Sequence, residues 1–141
     1  PHLNRAAMSQ IESLEALLAP LFPGLMGVKL VEVTSERVVA TLLVRPDLCT
    51  TGNSMHGGAF MAFADTLGGI ATYVNLPPNA RTTTIESSTK FLRGAAVGST
   101  VSAECTAFHK GRTTMVWQTL VKSADAKLCA VVTQTQLVLP A

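Results

Sequence analysis

Asp65 stands in a run of Ala, Phe, Met and Leu, within the stretch NSMHGGAFMAFADT over residues 53–66, that otherwise reads as buried helix. A carboxylate in such a run is expected to lose solvation, and an unpaired buried charge is costly. Upstream, His56, Gly57 and Gly58 mark the start of the same helix. The first N–H groups of a helix have no partner inside it, and the helix dipole adds about half a positive charge there. Glycine lets a ligand oxygen approach those N–H groups closely. Such donors suit a carbonyl on its way to an oxyanion, and a carboxylate is a group that attacks a carbonyl or activates a water against it. Taken alone, the glycine pair is equally consistent with a helix entry required only by chain geometry.

Asp65 follows Gly57 by eight residues, roughly 12 Å along a helix axis at ~1.5 Å per residue. One chain therefore cannot bring Asp65 to a carbonyl held by its own Gly57. Two antiparallel copies of the helix can, so the spacing predicts a symmetric dimer with sites shared across its interface. Three and four residues either side of Asp65 lie Met61, Ala62, Gly68 and Gly69. An interior glycine costs a helix about 1 kcal/mol relative to alanine, which predicts close approach of a substrate or a second helix on this face. The alternative is an Asp that bonds a nearby hydroxyl, such as Thr66, or a group of the partner.

The elements that must hold these residues can be read from patterning. Residues 8–19, MSQIESLEALLA, place Ile11, Leu14, Leu17 and Leu18 at helical spacing with Ser9 as N-cap. Pro20 and the Pro23-Gly24 pair stop that helix. Two strands follow about a polar turn at Thr34, Ser35, Glu36 and Arg37, then the loop PDLCTTGNS and a helix from about Gly57 to Tyr73. From Thr82 to Leu139 strand succeeds strand, punctuated by RGAAVG, KGR and SADAK. One long helix among six strands is an α+β domain, an antiparallel sheet wrapped on a central helix. Residues 1–24 read as an N-terminal extension with a short helix, and residues 25–141 as a single domain.

Composition narrows the function classes. Of the 141 residues 48% are hydrophobic and only 14% charged, which favours an oligomer over a monomer. A net charge of +2 with no basic block argues against nucleic acid. Cys49, Cys105 and Cys129 have no metal-ligand spacing and read as free thiols of a reducing compartment, with no metal site. No apolar run is long enough to span a membrane, and the expected location is the cytoplasm. His2 and His109 read as surface residues.

HGGAFMAFADT resembles the HGG-x6-[DE] signature of the hotdog-fold acyl-CoA thioesterases, in the branch of the phenylacetate-pathway and 4-hydroxybenzoyl-CoA enzymes. The resemblance runs from about Leu25 to Leu139 and includes IESSTKFLRGAAVG, HKGRTTMVWQ and the final TQTQLVL. It implies a hotdog fold, a dimer or dimer of dimers, and hydrolysis of an acyl-CoA without a cofactor, coenzyme A being part of the substrate. By position, Asp65 matches the catalytic carboxylate, as nucleophile or general base. Gly57 matches the residue whose N–H polarises the thioester carbonyl, with Gly58 beside it. His56 matches the motif histidine, for which a structural role is the expected one, and Thr84 a hydroxyl that orients the water or the acid, with Thr82 and Thr83 as neighbouring registers. Arg93, Lys110, Gly111 and Arg112 match the turns that bind the nucleotide of coenzyme A. Many relatives carry an amide six residues before the histidine. Here Thr50 stands there, and either Asn53, three residues before the histidine, takes the amide's catalytic role through a different loop path or the amide is dispensable.

Other classes fit less well. Hydratases and dehydratases of acyl thioesters carry an Asp-x4-His or GHFP-like motif that this chain lacks. An acyl-CoA sensor is a non-catalytic alternative, and a structural dimerisation domain would have no use for Asp65. Met55, Phe60, Met61 and Phe63 are candidates for a pocket lining, though such spacing usually means core.

Overall fold

Alternation builds the strands. In the segment Thr114–Lys122 the buried residues are Met115, Trp117, Thr119 and Val121, with half-covered side chains between them. The same period of two recurs through Leu128–Leu139 and Arg37–Leu43. A computed structural model describes residues 5–141, and the sequence position His2 lies outside them. The elements in chain order are α1 (Arg5–Leu18), α2 (Phe22–Met26), β1 (Lys29–Val33), β2 (Arg37–Leu43), β3 (Cys49–Thr50), β4 (Ser54–Met55), α3 (Gly57–Tyr73), β5 (Arg81–Phe91), β6 (Thr100–Lys110), β7 (Thr114–Lys122) and β8 (Leu128–Leu139). Six strands form one antiparallel sheet in the order β1-β2-β6-β7-β8-β5, and β3 and β4 make a separate small hairpin.

α3 is apolar on most of its circumference, so a sheet can cover it on several sides. It packs on β2, β5, β6, β7 and β8. Phe63 and Leu67 are fully buried with Trp117, Val38 and Leu42 around them in one core. The Trp117 indole donates to Thr72 Oγ1 at 2.8 Å, and that hydroxyl donates to the Gly68 carbonyl at 2.9 Å. The indole N–H and the Thr72 hydroxyl are thus both paired inside the core. Phe60 and Phe63 belong to this core, and Phe60 with Met55 also lines a groove at the start of α3.

The N-terminal expectations need two corrections. α1 begins at Arg5, so Ser9 lies inside it and caps nothing; Arg5 and the alanines after it are good helix formers that extend it backwards. The Pro23-Gly24 pair does not simply break the chain but sits inside α2. Proline is tolerated in a first turn, where its missing N–H has no partner anyway. α2 ends at Gly27 with φ of 89°, a left-handed cap. Arg45 anchors it by donating to the Met26 and Leu25 carbonyls at 2.6 and 3.0 Å. α1 is tied down by Glu15, which accepts from the Leu30 N–H at 2.8 Å.

β5 closes one side of the sheet with β8 as its neighbour and its other edge unpaired. A bulge between Thr84 and Glu86 leaves Ile85 out of register. The three cysteines are free, and burial pushes the Cys105 thiol up to about 11. Among the described residues no helix is long and apolar enough to cross a membrane.

Candidate active site

His56 is the N-cap of α3. Its backbone is extended, at φ −64° and ψ 140°, and its Nδ1 accepts the Gly58 N–H at 2.8 Å. That is the structural role expected of it, and it consumes one of the two glycine donors. The Gly57 N–H meets no acceptor among the described residues. Gly57 packs under the ring of Phe91, which an added Cβ would meet at 3.2 Å. Phe91 in turn sits edge-on to Phe60 with ring centres 6.3 Å apart.

Asp65 is exposed in the single chain, contrary to the burial its apolar neighbours suggest. Phe63, Ala64, Leu67 and Gly68 turn inward, while Asp65 and Met61, one helical turn apart, look out beside the open edge of β5. The hydroxyl that meets it is Thr84, which donates to Oδ1 at 2.7 Å. Thr66 is not that partner, because it donates to the Ala62 carbonyl one turn back. Thr82 is engaged elsewhere, and Thr83 is exposed.

Two residues not identified from the sequence stand behind Thr84. Gln136 Nε2 donates to Thr84 Oγ1 at 2.6 Å and to Gln134 Oε1 at 2.7 Å. Gln136 Oε1 accepts from Thr82 at 2.9 Å, and Gln134 Nε2 donates to the Ala64 carbonyl on α3 at 2.9 Å. Both glutamines are essentially fully buried. The direction of each bond follows from the next. The Ala64 carbonyl can only accept, which fixes the Gln134 amide; Gln134 Oε1 then requires Gln136 Nε2, whose second proton goes to Thr84, and the one hydroxyl proton of Thr84 is left for Asp65. The signal for them is in the β8 pattern, where Gln134 and Gln136 share a face with buried Val132 and Val138. Two amides on an otherwise apolar face need dedicated partners.

Gly68 belongs to this network as well. A Cβ there would fall 2.2–2.4 Å from the Gln134 amide, so the glycine admits the glutamine and not a second helix. Asn53 is exposed with φ of 57° and follows Gly52 at 84° in the β3–β4 turn. Its backbone conformation accounts for an asparagine there. Thr50, at the position of the family amide, is exposed at the end of β3.

The basic residues are not gathered in one place. Arg93 lies past the end of β5, lining a groove of about 350 Å³ with Gly57, Phe91 and Gly94. Gly111 and Arg112 form the β6–β7 turn, near the other end of β5. Leu137 links Thr114 and Thr83, so eight strand residues separate that turn from Phe91, or roughly 26 Å at ~3.3 Å each. Lys110 is paired with Glu36 and donates to the Ser35 carbonyl. Its hydrogen bond and charge hold the Glu36 carboxyl below the usual carboxylate range.

An apolar cavity of about 420 Å³ lies between α1, α2 and α3, with Asp65 in its wall. An oriented carboxylate at the side of an apolar cleft, in a chain that leaves a helix N-terminal N–H unused, can do acyl-transfer chemistry. The comparisons agree with that chemistry. Residues 52–130 match the thioesterase superfamily. A candidate esterase of Deinococcus radiodurans is 33% identical over 103 residues, spanning 72% of this chain and 64% of that protein's length. The 1,4-dihydroxy-2-naphthoyl-CoA hydrolase of Escherichia coli is 24% identical, over 84% of this chain and 87% of its own. Among solved structures, a thioesterase of Pseudomonas aeruginosa superposes with a TM-score of 0.88 at 27% identity, covering 93% of this chain and 94% of its own. The sheet wrapped on α3 is thus the hotdog fold.

Proposed function

The chain belongs to the thioesterase superfamily of thioester hydrolases, and from that premise we propose that it hydrolyses acyl-CoA to a free acid and coenzyme A at a site built by two protomers. The observation that carries the reading is Asp65, whose Oδ1 is held by Thr84 at 2.7 Å while Oδ2 stays free to act. Asp65 attacks the thioester carbonyl or takes the proton of an attacking water. The carbonyl oxygen gains its negative charge against the Gly57 N–H of the second copy. The C–S bond then breaks: in the first course the thiolate leaves behind an acyl-aspartyl anhydride that a water hydrolyses, freeing the acid and supplying the thiol proton, and in the second Asp65 passes the water's proton to the thiolate. Removing one such oxyanion donor typically costs ~10²–10³ in turnover.

The open edge of β5 supports a shared site. Its 11 residues offer unpaired backbone groups, the usual template for another strand. Ile85 is 55% exposed there and Met61 37%. A two-fold axis between Ser87 and Ser88 would set Thr84 opposite Phe91 of the second copy. Asp65 sits beside Thr84, and Gly57 lies under Phe91. The two halves of the site would therefore meet, and Asp65 would become covered.

Arg93 shares its groove with Gly57 and is placed to take a phosphate of coenzyme A from the protomer that supplies the oxyanion donor. Gly111 and Arg112 would reach the nucleotide from a different protomer, and Lys110 would have to leave Glu36. The test is thiol release from a panel of acyl-CoAs by wild type and Asp65→Asn. Loss of at least a thousand-fold in kcat in a folded variant is the expected result. Equal inertness of both proteins with acyl-CoA still bound would replace hydrolysis by ligand sensing.

A further inference from the structure

Two adjacent glycines lie inside α3, and packing explains one of them. Gly68 makes room for the Gln134 amide, whereas a Cβ on Gly69 would meet nothing within 4 Å. Alanine at that position would favour the helix and fit, so the missing methyl answers to something other than the fold. Gly69 comes one turn after Asp65, and the two line the same 420 Å³ cavity. The rest of the wall is mainly apolar, with Leu14 and Leu17 from α1, Phe22 from α2 and Ile70 from α3.

Resting on the assignment of Asp65 as the reacting carboxylate, we propose that this cavity takes the acyl group and that Gly69 sets its width, making bulky, uncharged, apolar acyl groups the substrate class. The size and the lining both bear on this. Ligand cavities commonly span about 300–1,000 Å³ and are mostly apolar with a few polar groups. An acetyl group would leave most of this volume unused. A charged acyl tail would enter a wall in which, among the described residues, Asp65 is the one charged side chain, of the same sign as a carboxylate. Each methylene that enters should raise kcat/KM about four-fold. Phe22 and Ala62 stand between this cavity and a second groove of about 290 Å³ beside His56 and Gly58, because both line the two. Phe22 is 60% exposed, so truncating it does not open the core.

The test compares wild type, Gly69→Ala and Phe22→Ala on acetyl-, hexanoyl-, phenylacetyl- and succinyl-CoA, with Tm measured for each. Wild type should prefer hexanoyl- or phenylacetyl-CoA to acetyl- and succinyl-CoA by at least ten-fold. Gly69→Ala should lower the phenylacetyl-to-acetyl ratio of kcat/KM at least ten-fold while Tm rises by ~2–4 °C. Phe22→Ala should move the optimum to longer chains. A Gly69→Ala variant with a lowered Tm would show the space to be filled in the assembled protein and would overturn the proposal. An unchanged ratio, or succinyl-CoA turned over as well as hexanoyl-CoA, would overturn it too and leave the thioesterase reading standing. Wild type inert on all four substrates would overturn both.

Discussion

At the scale of single residues, the account rests on a chain of hydrogen bonds that ends at Asp65. Thr84 holds the carboxylate, and Gln136 decides where the Thr84 proton points. Thr84→Val should lower kcat about ten- to a hundred-fold with a smaller effect on KM, since it removes orientation and not binding. Gln136→Leu should reduce kcat as well and cost about 1–3 kcal/mol of stability, because it leaves Gln134 and Thr82 short of partners. The double variant should be no slower than the worse single one, as expected of residues that act as a unit. Steady-state kinetics with chemical denaturation checks all three, and multiplicative losses would contradict the relay. Asp65, Gly57 and His56 stand out in the sequence because their types conflict with an ordinary helix start and interior. The glutamines were not singled out, although their place on the inward face of β8 was there to read. The exposure of Asp65 was hidden by its apolar neighbours, whose side chains point the other way round the helix. Asn53 carries a second reason to be an amide, its left-handed backbone.

At the scale of elements, the six long strands and α3 follow from periodicity, and each runs close to the span its pattern suggests. α2 escaped that reading because proline and glycine mark both a break and a helix of one turn, and only the Arg45 side chain distinguishes them. α3 yields a prediction that runs against helix propensity. Gly68→Ala should destabilise the protein by about 1–2 kcal/mol although alanine favours a helix, since the methyl has to displace the Gln134 amide. A denaturation midpoint equal to or above wild type would contradict that packing. The β7–β8 turn gives the reverse case. Ala126 has φ of 63°, a conformation that costs a residue with a Cβ. Ala126→Gly should therefore gain about 0.5–1 kcal/mol even after glycine's larger unfolded-state entropy, raising Tm by ~2–4 °C. A fall in Tm would show that the turn does not strain the alanine.

At the scale of the whole molecule, the spacing of Gly57 and Asp65 and the open edge of β5 make the same demand. One arises from the length of a helical turn and the other from an unpaired row of backbone groups. Both would be met by a second copy, which would also cover Ile85 and Met61. The measurement that tests this most directly uses two variants that each damage a different half of the site. Asp65→Asn removes the carboxylate. Gly57→Pro removes the N–H at a first helical position, after a residue whose ψ of 140° suits proline, and the Phe91 ring has to give way to it, so folding and dimerisation of the variant are checked first. Each variant alone should be inactive on the best acyl-CoA substrate. Refolded together in equal amounts, half of the dimers should be mixed and each should carry one intact site, so about a quarter of wild-type activity should return. No recovery in a mixture that does exchange subunits would mean that each site lies within one chain, and the shared-site account would be wrong.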